Sequence, residues 1–336
     1  MKMKPILLSI ALFFCFVASA QQGKNFSMFS LNNMQHNPAA VGTNDNDIKV
    51  FANFRYQYFT VSDKPFQTIS ASGEIKLFNS TSTRKKGYFG VGASVINDMS
   101  GDGRYMVNNI AVPIAYHIYM NERNSLSLGV SPGMYQRTLG SGNLTWESQW
   151  NGYEFDQTIA PGVANSSAAN FDLGAGLFYK FQSTNTNKIY FGVSANHILQ
   201  PEISFNMQDK MYMRYTGQFG MRHKFELSTF GISPQILAMF QGPNQNILFG
   251  SNFDFYLQEP SLRTLFYTPT IFSFGVYHRL RDAIVVNFQF SFKGMTVAAS
   301  YDSNINSMLP ASKSIGGFEV AFVYDLMLNK KGRYIY

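Results

Sequence analysis

The chain has 336 residues, and only 14% of them are charged, well below the roughly 25% usual for soluble proteins. Aromatic residues reach 16%, yet the mean hydropathy of −0.11 is too polar for a bundle of membrane helices. These values favour β-strands with one face in lipid and one in water over the alternative, a soluble β-sandwich. A net charge of +7 raises the question of nucleic acid, but the basic residues are scattered and form no stripe with aromatic residues, so we expect no nucleic-acid partner.

Residues 1–20 have the pattern of a cleavable signal peptide. Lys2 and Lys4 precede an apolar stretch that is too short to span a bilayer, and Ala18-Ser19-Ala20 matches a cleavage site. The only cysteine, Cys15, lies in this stretch, and Phe14 before it does not fit a lipoprotein signal. We therefore expect a mature chain that begins at residue 21 and contains no cysteine, which excludes disulfides and thiol chemistry.

Residues 21–46 are polar and do not alternate, so they are predicted to form a periplasmic N-terminal segment ahead of the first strand. The segment contains FSLNNMQHNPAAVG, in which Asn37-Pro38 initiates a turn and Gly42 is a turn residue. A segment of this length is either disordered or folded back as a plug, and periodicity alone does not choose between them.

Residues 47–326 alternate between apolar and polar side chains in segments of about ten residues, the length of a tilted membrane strand. The even number of fourteen segments predicts a transmembrane antiparallel β-barrel in the outer membrane, followed by a periplasmic C-terminal tail at 327–336. The segments are 47–59, 67–78, 87–99, 107–120, 124–139, 169–181, 188–199, 211–225, 227–241, 245–257, 270–280, 283–292, 294–303 and 314–326. The connection 258–269 is too long for a simple inner turn, so its flanking strands are the least secure.

The alternation also assigns the two faces of the wall. In the segment AIVVNFQFSF, Ile284, Phe288 and Phe290 are predicted to face lipid, while Asn287 and Gln289 face the lumen. Many inward positions carry small residues, which either permit coiling around a water-filled lumen or make room for an inserted segment. These positions include Gly90, Gly92, Gly129, Gly133, Gly174, Gly176 and Gly192.

Charged residues are also predicted to face the lumen. The first strand carries Lys49, Asn53, Arg55 and Gln57 on its inward face, and the last strand carries Glu319 and Asp325. Closure of the barrel places these two strands side by side, so basic and acidic walls should meet at the seam. Such charges favour a polar lumen over an apolar one, which counts against a fatty-acid channel.

The longest outer connection, at 140–168, is the candidate site for a secreted partner. It holds both tryptophans, Trp146 and Trp150, and also Tyr153 and Phe155. Long loops are usually functional or disordered, and clustered surface aromatics are typical interface anchors. The alternative is that these aromatics turn inward and close the barrel mouth.

No catalytic, cofactor or metal site is predicted. The five histidines have no metal-ligand spacing. A phospholipase on the lipid-facing wall would need a Ser–His pair held by a third polar group. His197 falls on the face predicted to point outward, but it lies near a strand end, where interfacial histidines are ordinary. We therefore expect a protein that is not an enzyme.

The N-terminal segment resembles the signature of the PorP/SprF family of type IX secretion system outer-membrane proteins. The family's N-P-A-x-x-G element is matched by Asn37, Pro38, Ala39 and Gly42. Its R-x-Q-W element is matched by Arg55 and Gln57, with Tyr58 in place of tryptophan. Further similar segments, from GVGASVINDMSG to GGFEVAFVYDL, cover nearly all of the mature chain in order.

The resemblance implies a non-enzymatic component of a secretion and gliding apparatus. Such a component supports the export or surface anchoring of one secreted cargo protein, often an adhesin, and contacts periplasmic or outer-membrane machinery. The alternative from a different class is a general diffusion porin or small-solute channel. The two differ in the lumen, because a channel requires an open path and an anchor does not.

Overall fold

The structure is a computed structural model. It describes residues 26–78, 86–101, 103, 105–140, 145–156, 158–159, 166–184, 186–203, 209–258 and 269–328. The predicted signal peptide with Cys15, most of the connection 258–269 and the tail from residue 329 lie outside the described residues.

Fifteen strands run along the described chain, and each of the fourteen predicted segments overlaps at least one of them. They are β1 (Ile48–Gln57), β2 (Phe66–Leu77), β3 (Gly87–Ser100), β4 (Tyr105–Ala111), β5 (Ile114–Tyr119), β6 (Asn124–Leu139), β7 (Ser166–Gln182), β8 (Lys188–Asn196), β9 (Arg214–Lys224), β10 (Phe230–Gln241), β11 (Asn244–Gln258), β12 (Thr270–Arg279), β13 (Ala283–Phe292), β14 (Met295–Asn304) and β15 (Ile315–Leu326). One short helix, α1 (Leu309–Ser312), and four 3-10 turns complete the described elements; the turns are Phe29–Leu31, Asn33–Gln35, Pro38–Ala40 and Glu147–Gln149.

The strands form one closed antiparallel barrel with fourteen positions in its wall. Apart from β4 and β5, which do not pair with each other, each strand pairs with its neighbours in sequence, and β1 closes the ring by pairing with β15. β4 and β5 share one position, because both pair with β3 on one side and β6 on the other without a change of register. Pro113 interrupts them, since it has no N–H to donate to the ladder. The predicted all-β transmembrane barrel of fourteen strands is therefore confirmed.

Two names describe the ends of the barrel. The outer rim is the end that carries the long connection 140–165, and the inner rim is the end where β1 begins and β15 ends. Across the seam, Arg55 lies opposite Glu319 and Lys49 lies opposite Asp325, so the predicted meeting of basic and acidic walls is confirmed.

The two faces of the wall follow the predicted alternation. On β13, Ile284, Phe288 and Phe290 are exposed on the outside, whereas Asn287 and Gln289 are buried in the lumen. The same outward band of exposed apolar side chains continues on β15 with Phe318, Val320 and Phe322.

His197 does not follow the alternation, and its predicted outward position is wrong. Its backbone φ of 59° turns the chain at the end of β8. The side chain is buried, with Nδ1 at 2.7 Å from Asp172 Oδ2. The left-handed turn breaks the period-2 pattern from which the outward position was inferred.

Buried residues of this fold are concentrated inside the ring of strands. Their clusters join inward side chains of the wall to residues 26–41. None of the helices within the described ranges is both long and apolar enough to cross a membrane.

The register gives a direct test with adjacent residues of β13. Phe288 lies near the middle of the strand and is 51% exposed on the outer face, whereas Gln289 points into the lumen. An arginine near the bilayer midplane costs about 2–4 kcal/mol on the lipid face of a barrel. Phe288→Arg should therefore lower the folding yield into lipid vesicles, measured by heat-modifiable gel mobility, much more than Gln289→Arg. Equal yields for the two variants would contradict this assignment of faces.

Candidate functional site

Residues 26–46, which we call the lumen segment, lie inside the barrel. Twelve of the first sixteen are buried, although the segment is mostly polar. The buried residues are Phe26, Ser27, Met28, Phe29, Asn32, Met34, His36, Asn37, Pro38, Ala39, Ala40 and Val41. The small inward residues of the wall therefore face an inserted segment, which was one of the two interpretations of their pattern.

Short 3-10 turns give the lumen segment its shape. The third turn begins at Pro38, whose fixed φ suits the first position of a helical turn. Asn37 caps this turn, because its side-chain oxygen accepts a hydrogen bond from Ala39 N at 2.9 Å. The geometry of this turn therefore explains the presence of Asn37, Pro38 and Ala39 in the signature.

The lumen segment runs along the barrel from one rim towards the other. Ser27 contacts Arg279, the last residue of β12, close to the outer rim. At the opposite end, Asp45 pairs with Lys188, the first residue of β8, at the inner rim.

A buried ionic cluster holds the outer end of the lumen segment. Arg55 pairs with Asp302 at 2.6 Å and with Glu319 at 2.8 Å, and Arg279 pairs with Asp302 at 3.0 Å. Ser27 lies at the centre: its Oγ accepts hydrogen bonds from both guanidinium groups at 2.7 Å and donates to Asp302 at 2.7 Å.

The backbone of the lumen segment also belongs to this cluster. The amides of Ser27 and Met28 donate to the Glu319 carboxylate at 2.8 and 3.2 Å, and Asn53 donates to the same carboxylate at 2.7 Å. The two carboxylates and two guanidinium groups therefore balance in charge. Removing one partner would leave a buried charge, which is far more destabilising than losing an exposed ion pair.

The middle of the lumen segment fits against bare backbone of the wall. Asn37 Nδ2 donates to the carbonyls of Leu177 on β7 and Val193 on β8, at 2.9 and 3.3 Å. On β6, a Cβ added at Gly129 would lie 2.5 Å from Ala39 N. A Cβ at Gly176 would overlap the Asn37 side chain. These glycines allow a close approach that any larger residue would block.

Gly42 shapes the inner part of the lumen segment. Its φ of +78° favours glycine, and a Cβ there would lie 2.9 Å from the Cα of Gly90. Its amide donates to Glu74 at 2.6 Å, and its carbonyl accepts from the Tyr88 hydroxyl at 2.9 Å. His117 lies next to this contact, with Nε2 at 2.7 Å from the carbonyl oxygen of Val41.

Apolar side chains fill much of the remaining lumen. Phe29 packs edge-on against Tyr277 in a buried cluster with inward Leu237, Leu248 and Val285. The expectation of a polar rather than apolar lumen is therefore wrong in part. The charged groups are present, but the lumen segment also brings its own apolar residues to inward apolar positions of the wall.

The second candidate region is the described part of the long outer connection, residues 145–156 and 158–159, which we call the aromatic loop. Trp150 and Phe155 face each other in an antiparallel bridge, with ring centroids 5.0 Å apart. Between them, Asn151 Oδ1 accepts hydrogen bonds from the amides of Tyr153 and Glu154, both at 2.9 Å. The tip of the loop is therefore an ordered turn.

The aromatic side chains of this loop point to solvent. Tyr153 is 93% exposed, Trp150 49% and Phe155 47%, while Trp146 is half-buried at the base of the loop. Gln149 fixes the base by accepting from Trp146 N at 2.9 Å and donating to the carbonyl of Ile159 at 3.0 Å. Three of the four predicted partner-binding residues are thus on the surface. They do not turn inward to close the barrel mouth, which was the alternative.

The remaining signature residues divide into two groups. Arg55 belongs to the ionic cluster and contacts Ser27 of the lumen segment. Gln57 is half-buried at the end of β1, beside Gly317 of β15. The fold places five of the signature residues in one packed interior, and the aromatic loop is not part of it. These five are Asn37, Pro38, Ala39, Gly42 and Arg55.

Some residues of the interior were not found by sequence reasoning. Ser27, Arg279 and Asp302 are chemically ordinary in the sequence, and only the folded chain brings them together. The one available signal was that Asp302 lies on an inward position of its strand. In the part of the chain that the structure describes, no three His, Cys, Asp or Glu side chains group as metal ligands.

A closed barrel with an outward apolar band and a lumen filled by its own N-terminal segment defines a class of protein, the membrane β-barrels with an internal plug. The sequence matches the family described as "Type IX secretion system membrane protein PorP/SprF" over residues 18–324. The chain therefore belongs to this family. It is a multi-pass β-barrel of the outer membrane and associates with the type IX secretion machinery.

Comparison with curated proteins finds no match. Among solved structures, the fold is similar to the CymD monoaromatic hydrocarbon channel, with a TM-score of 0.49 and 10% identity over 91% of this chain and 95% of that one. It is also similar to the Pseudomonas putida toluene transporter TodX, with a TM-score of 0.46 and 9% identity over 90% and 93%. A Pseudomonas aeruginosa FadL homologue gives 0.43 and 13% over 86% and 92%. Likeness at this level carries no information about what this chain binds.

Two glycine-to-alanine variants distinguish close packing of the lumen segment against the wall from the general effect of glycine on the stability of a strand. Gly129→Ala would place a Cβ against the backbone of Ala39, whereas a Cβ at Gly217 on β9 meets no atom within 4 Å. We expect Gly129→Ala to lower the free energy of unfolding by about 1–3 kcal/mol through overpacking. Gly217→Ala should be neutral or stabilising by about 0.5 kcal/mol. Denaturant unfolding of the barrel in micelles measures both, and a harmless Gly129→Ala would contradict this packing.

The ionic cluster predicts a large effect at Arg55. Arg55→Met leaves the buried carboxylates of Asp302 and Glu319 with one guanidinium instead of two, so we expect a loss of about 3–5 kcal/mol in unfolding free energy. The control is Lys188→Met, whose ion pair with Asp45 lies at the inner rim and is partly exposed. Its loss should be below about 1 kcal/mol. Similar losses for the two variants would argue against a buried cluster.

Proposed function

We propose that this protein is a non-enzymatic anchor of the type IX secretion system that holds one secreted surface protein at its outer rim. The cargo is adhesin-like, and the barrel supports its export or its attachment during gliding. The inner rim contacts periplasmic components of the same system. The secretion system follows from the family to which the chain belongs. The filled lumen is the single observation that supports an anchor over a channel.

The filled lumen argues against the rival function, a general diffusion porin or small-solute channel. The lumen segment contacts β2 and β3 through Gly42, β7 and β8 through Asn37, and β1, β12, β14 and β15 through Ser27. These strands lie on opposite sides of the ring. A porin keeps a water-filled path through its interior, whereas here the segment is part of the packed interior.

The aromatic loop is the best candidate for the cargo contact. Interfaces are anchored by a few aromatic side chains that are rigid before binding, because little conformational entropy is then lost. Trp150, Tyr153 and Phe155 are exposed on a turn that the hydrogen bonds of Asn151 and Gln149 hold in place.

The inner rim offers charged groups for a periplasmic partner. Lys180 and Lys188 lie within 3.1 and 2.8 Å of Asp45, where the lumen segment leaves the barrel. Both lysines hold the pKa of Asp45 well below its ordinary value, although burial acts in the opposite direction. This rim therefore carries an ion-pair cluster at the height where periplasmic machinery would meet the barrel.

Surface display of cargo tests the site. Trp150→Ala combined with Tyr153→Ala should leave heat-modifiable barrel in the outer membrane at normal levels, because neither side chain is packed in the interior. Display of type IX cargo, measured by surface biotinylation and proteomics, should fall at least about tenfold, since each lost aromatic anchor contributes about 1–2 kcal/mol or more. Tyr212→Ala, an exposed aromatic on the neighbouring outer connection, is the control. Normal display of cargo by the double variant would exclude the aromatic loop as the cargo site.

Conductance separates the anchor from the porin. We expect the purified full-length protein in planar bilayers to show no steady porin-like current steps, because residues 26–46 fill the lumen. Arg55→Met loosens the outer end of that segment and should produce intermittent openings. Stable, large open steps from the unaltered protein would favour the channel instead.

A further inference from the structure

The aromatic loop carries an unusual combination of groups. Next to its exposed aromatic side chains it has three acidic residues, Glu147, Glu154 and Asp156, and the whole connection 140–165 contains no lysine, arginine or histidine. Within the described part of the chain, no cationic side chain forms an ion pair with these three. The loop therefore presents exposed apolar rings together with acidic groups that form no ion pair with the described residues.

Local hydrogen bonds favour the charged form of one of these groups, Asp156. The hydroxyl and the amide of Thr158 donate to Asp156 Oδ1 at 2.6 and 2.8 Å, and both bonds lower the pKa of this exposed carboxyl. Glu154 follows Tyr153 directly, within the turn held by Asn151. Glu154 is thus part of the ordered tip and lies beside its most exposed ring, while Asp156 is held just after it.

We propose that the partner surface that receives the aromatic loop is basic, with an apolar recess for Tyr153 bordered by lysine or arginine side chains. This inference rests on the proposed function, which makes the loop the contact for a secreted protein. It goes further by stating the chemistry of that protein's docking surface.

Charge decides among the possible occupants of this tip. A membrane surface attracts aromatic side chains, but lipid phosphates would repel three carboxylates that have no cation beside them. A second copy of this chain would bring the same acidic loop to the contact and would be repelled as well. A basic protein surface with an apolar recess can bind both kinds of group. Its positive charges attract the carboxylates and steer the approach, and its recess buries the aromatic rings.

The test uses a photo-crosslinker in living cells that contain the complete secretion system. Tyr153 is replaced by p-benzoylphenylalanine in the full-length chain, and the cells are irradiated after washing in about 20, 150 or 500 mM NaCl. As salt rises, the Debye length, beyond which exposed charges are screened from each other, shortens to about 10 Å or less. A contact that is steered by charge therefore weakens over this range. We expect a protein crosslink whose attached peptide is rich in lysine and arginine and whose yield falls several-fold as salt rises.

A charge-neutral loop gives the matched comparison. Glu147→Gln, Glu154→Gln and Asp156→Asn together, in the crosslinker background, should reduce the yield at the lowest salt by up to about tenfold and remove its salt dependence. Glu202→Gln with Asp209→Asn removes acidic groups from the neighbouring outer connection and should leave the yield unchanged. Trp150 and Phe155 stay in place in both variants, and position 153 keeps its aromatic crosslinker, so folding and apolar contact are preserved.

The outcomes separate this inference from the proposed function. A protein crosslink to an acidic or uncharged surface, or one insensitive to both salt and neutralisation, overturns the basic partner and leaves the cargo contact standing. Crosslinks only to lipid, or only to a second copy of this chain, overturn it in favour of those occupants. Normal cargo display with no crosslink at position 153 overturns the inference and the proposed cargo site together.

Discussion

The close approach of residues 26–46 to the inward backbone of the barrel is the constraint on which the other features depend. A ring of fourteen strands encloses more volume than its own side chains need, and this chain fills that volume with a second layer of backbone. Gly129 and Gly176 leave the wall bare where Ala39 and Asn37 press against it. The wall and the segment are therefore complementary parts of one interior. Neither would be well packed alone, because the bare glycines would face a void and the segment would expose its apolar residues.

Three kinds of contact fix the register of the segment in the lumen. The outer end is held by charge, around Ser27 and Arg55; the middle is held by shape, at Asn37; the inner part is held by the backbone conformation of Gly42. A shift by one residue would break all three at once. A buried ionic cluster adds little net stability compared with apolar packing, but it strongly disfavours any arrangement that leaves one charge unpaired. Its contribution here is to select one position of the segment among those that apolar packing would tolerate.

The sequence predicted the wall of this barrel better than its contents, and the physical reason is the range of the interactions. Alternation is a local property, so it located all fourteen positions of the wall, and closure then placed Arg55 opposite Glu319. What fills the lumen depends on contacts between residues more than two hundred positions apart, such as Ser27 with Arg279, which no local pattern contains. The same limit explains why the inward glycines allowed two interpretations, and why the left-handed turn at His197 reversed its predicted face.

The signature and the aromatic loop answer different physical demands. Asn37 caps a turn, Pro38 begins it, Gly42 needs a positive φ, and Arg55 pairs with buried carboxylates; each of these requirements concerns the filling of the barrel. The aromatic loop contributes nothing to that interior, since its rings lie in solvent. A barrel whose lumen is filled can act on other proteins only through its rims. Under the proposed function, the signature therefore specifies a closed platform, while the partner is chosen by the loop that stands above it. Changes in the loop can then alter the cargo without disturbing the packing that keeps the platform intact.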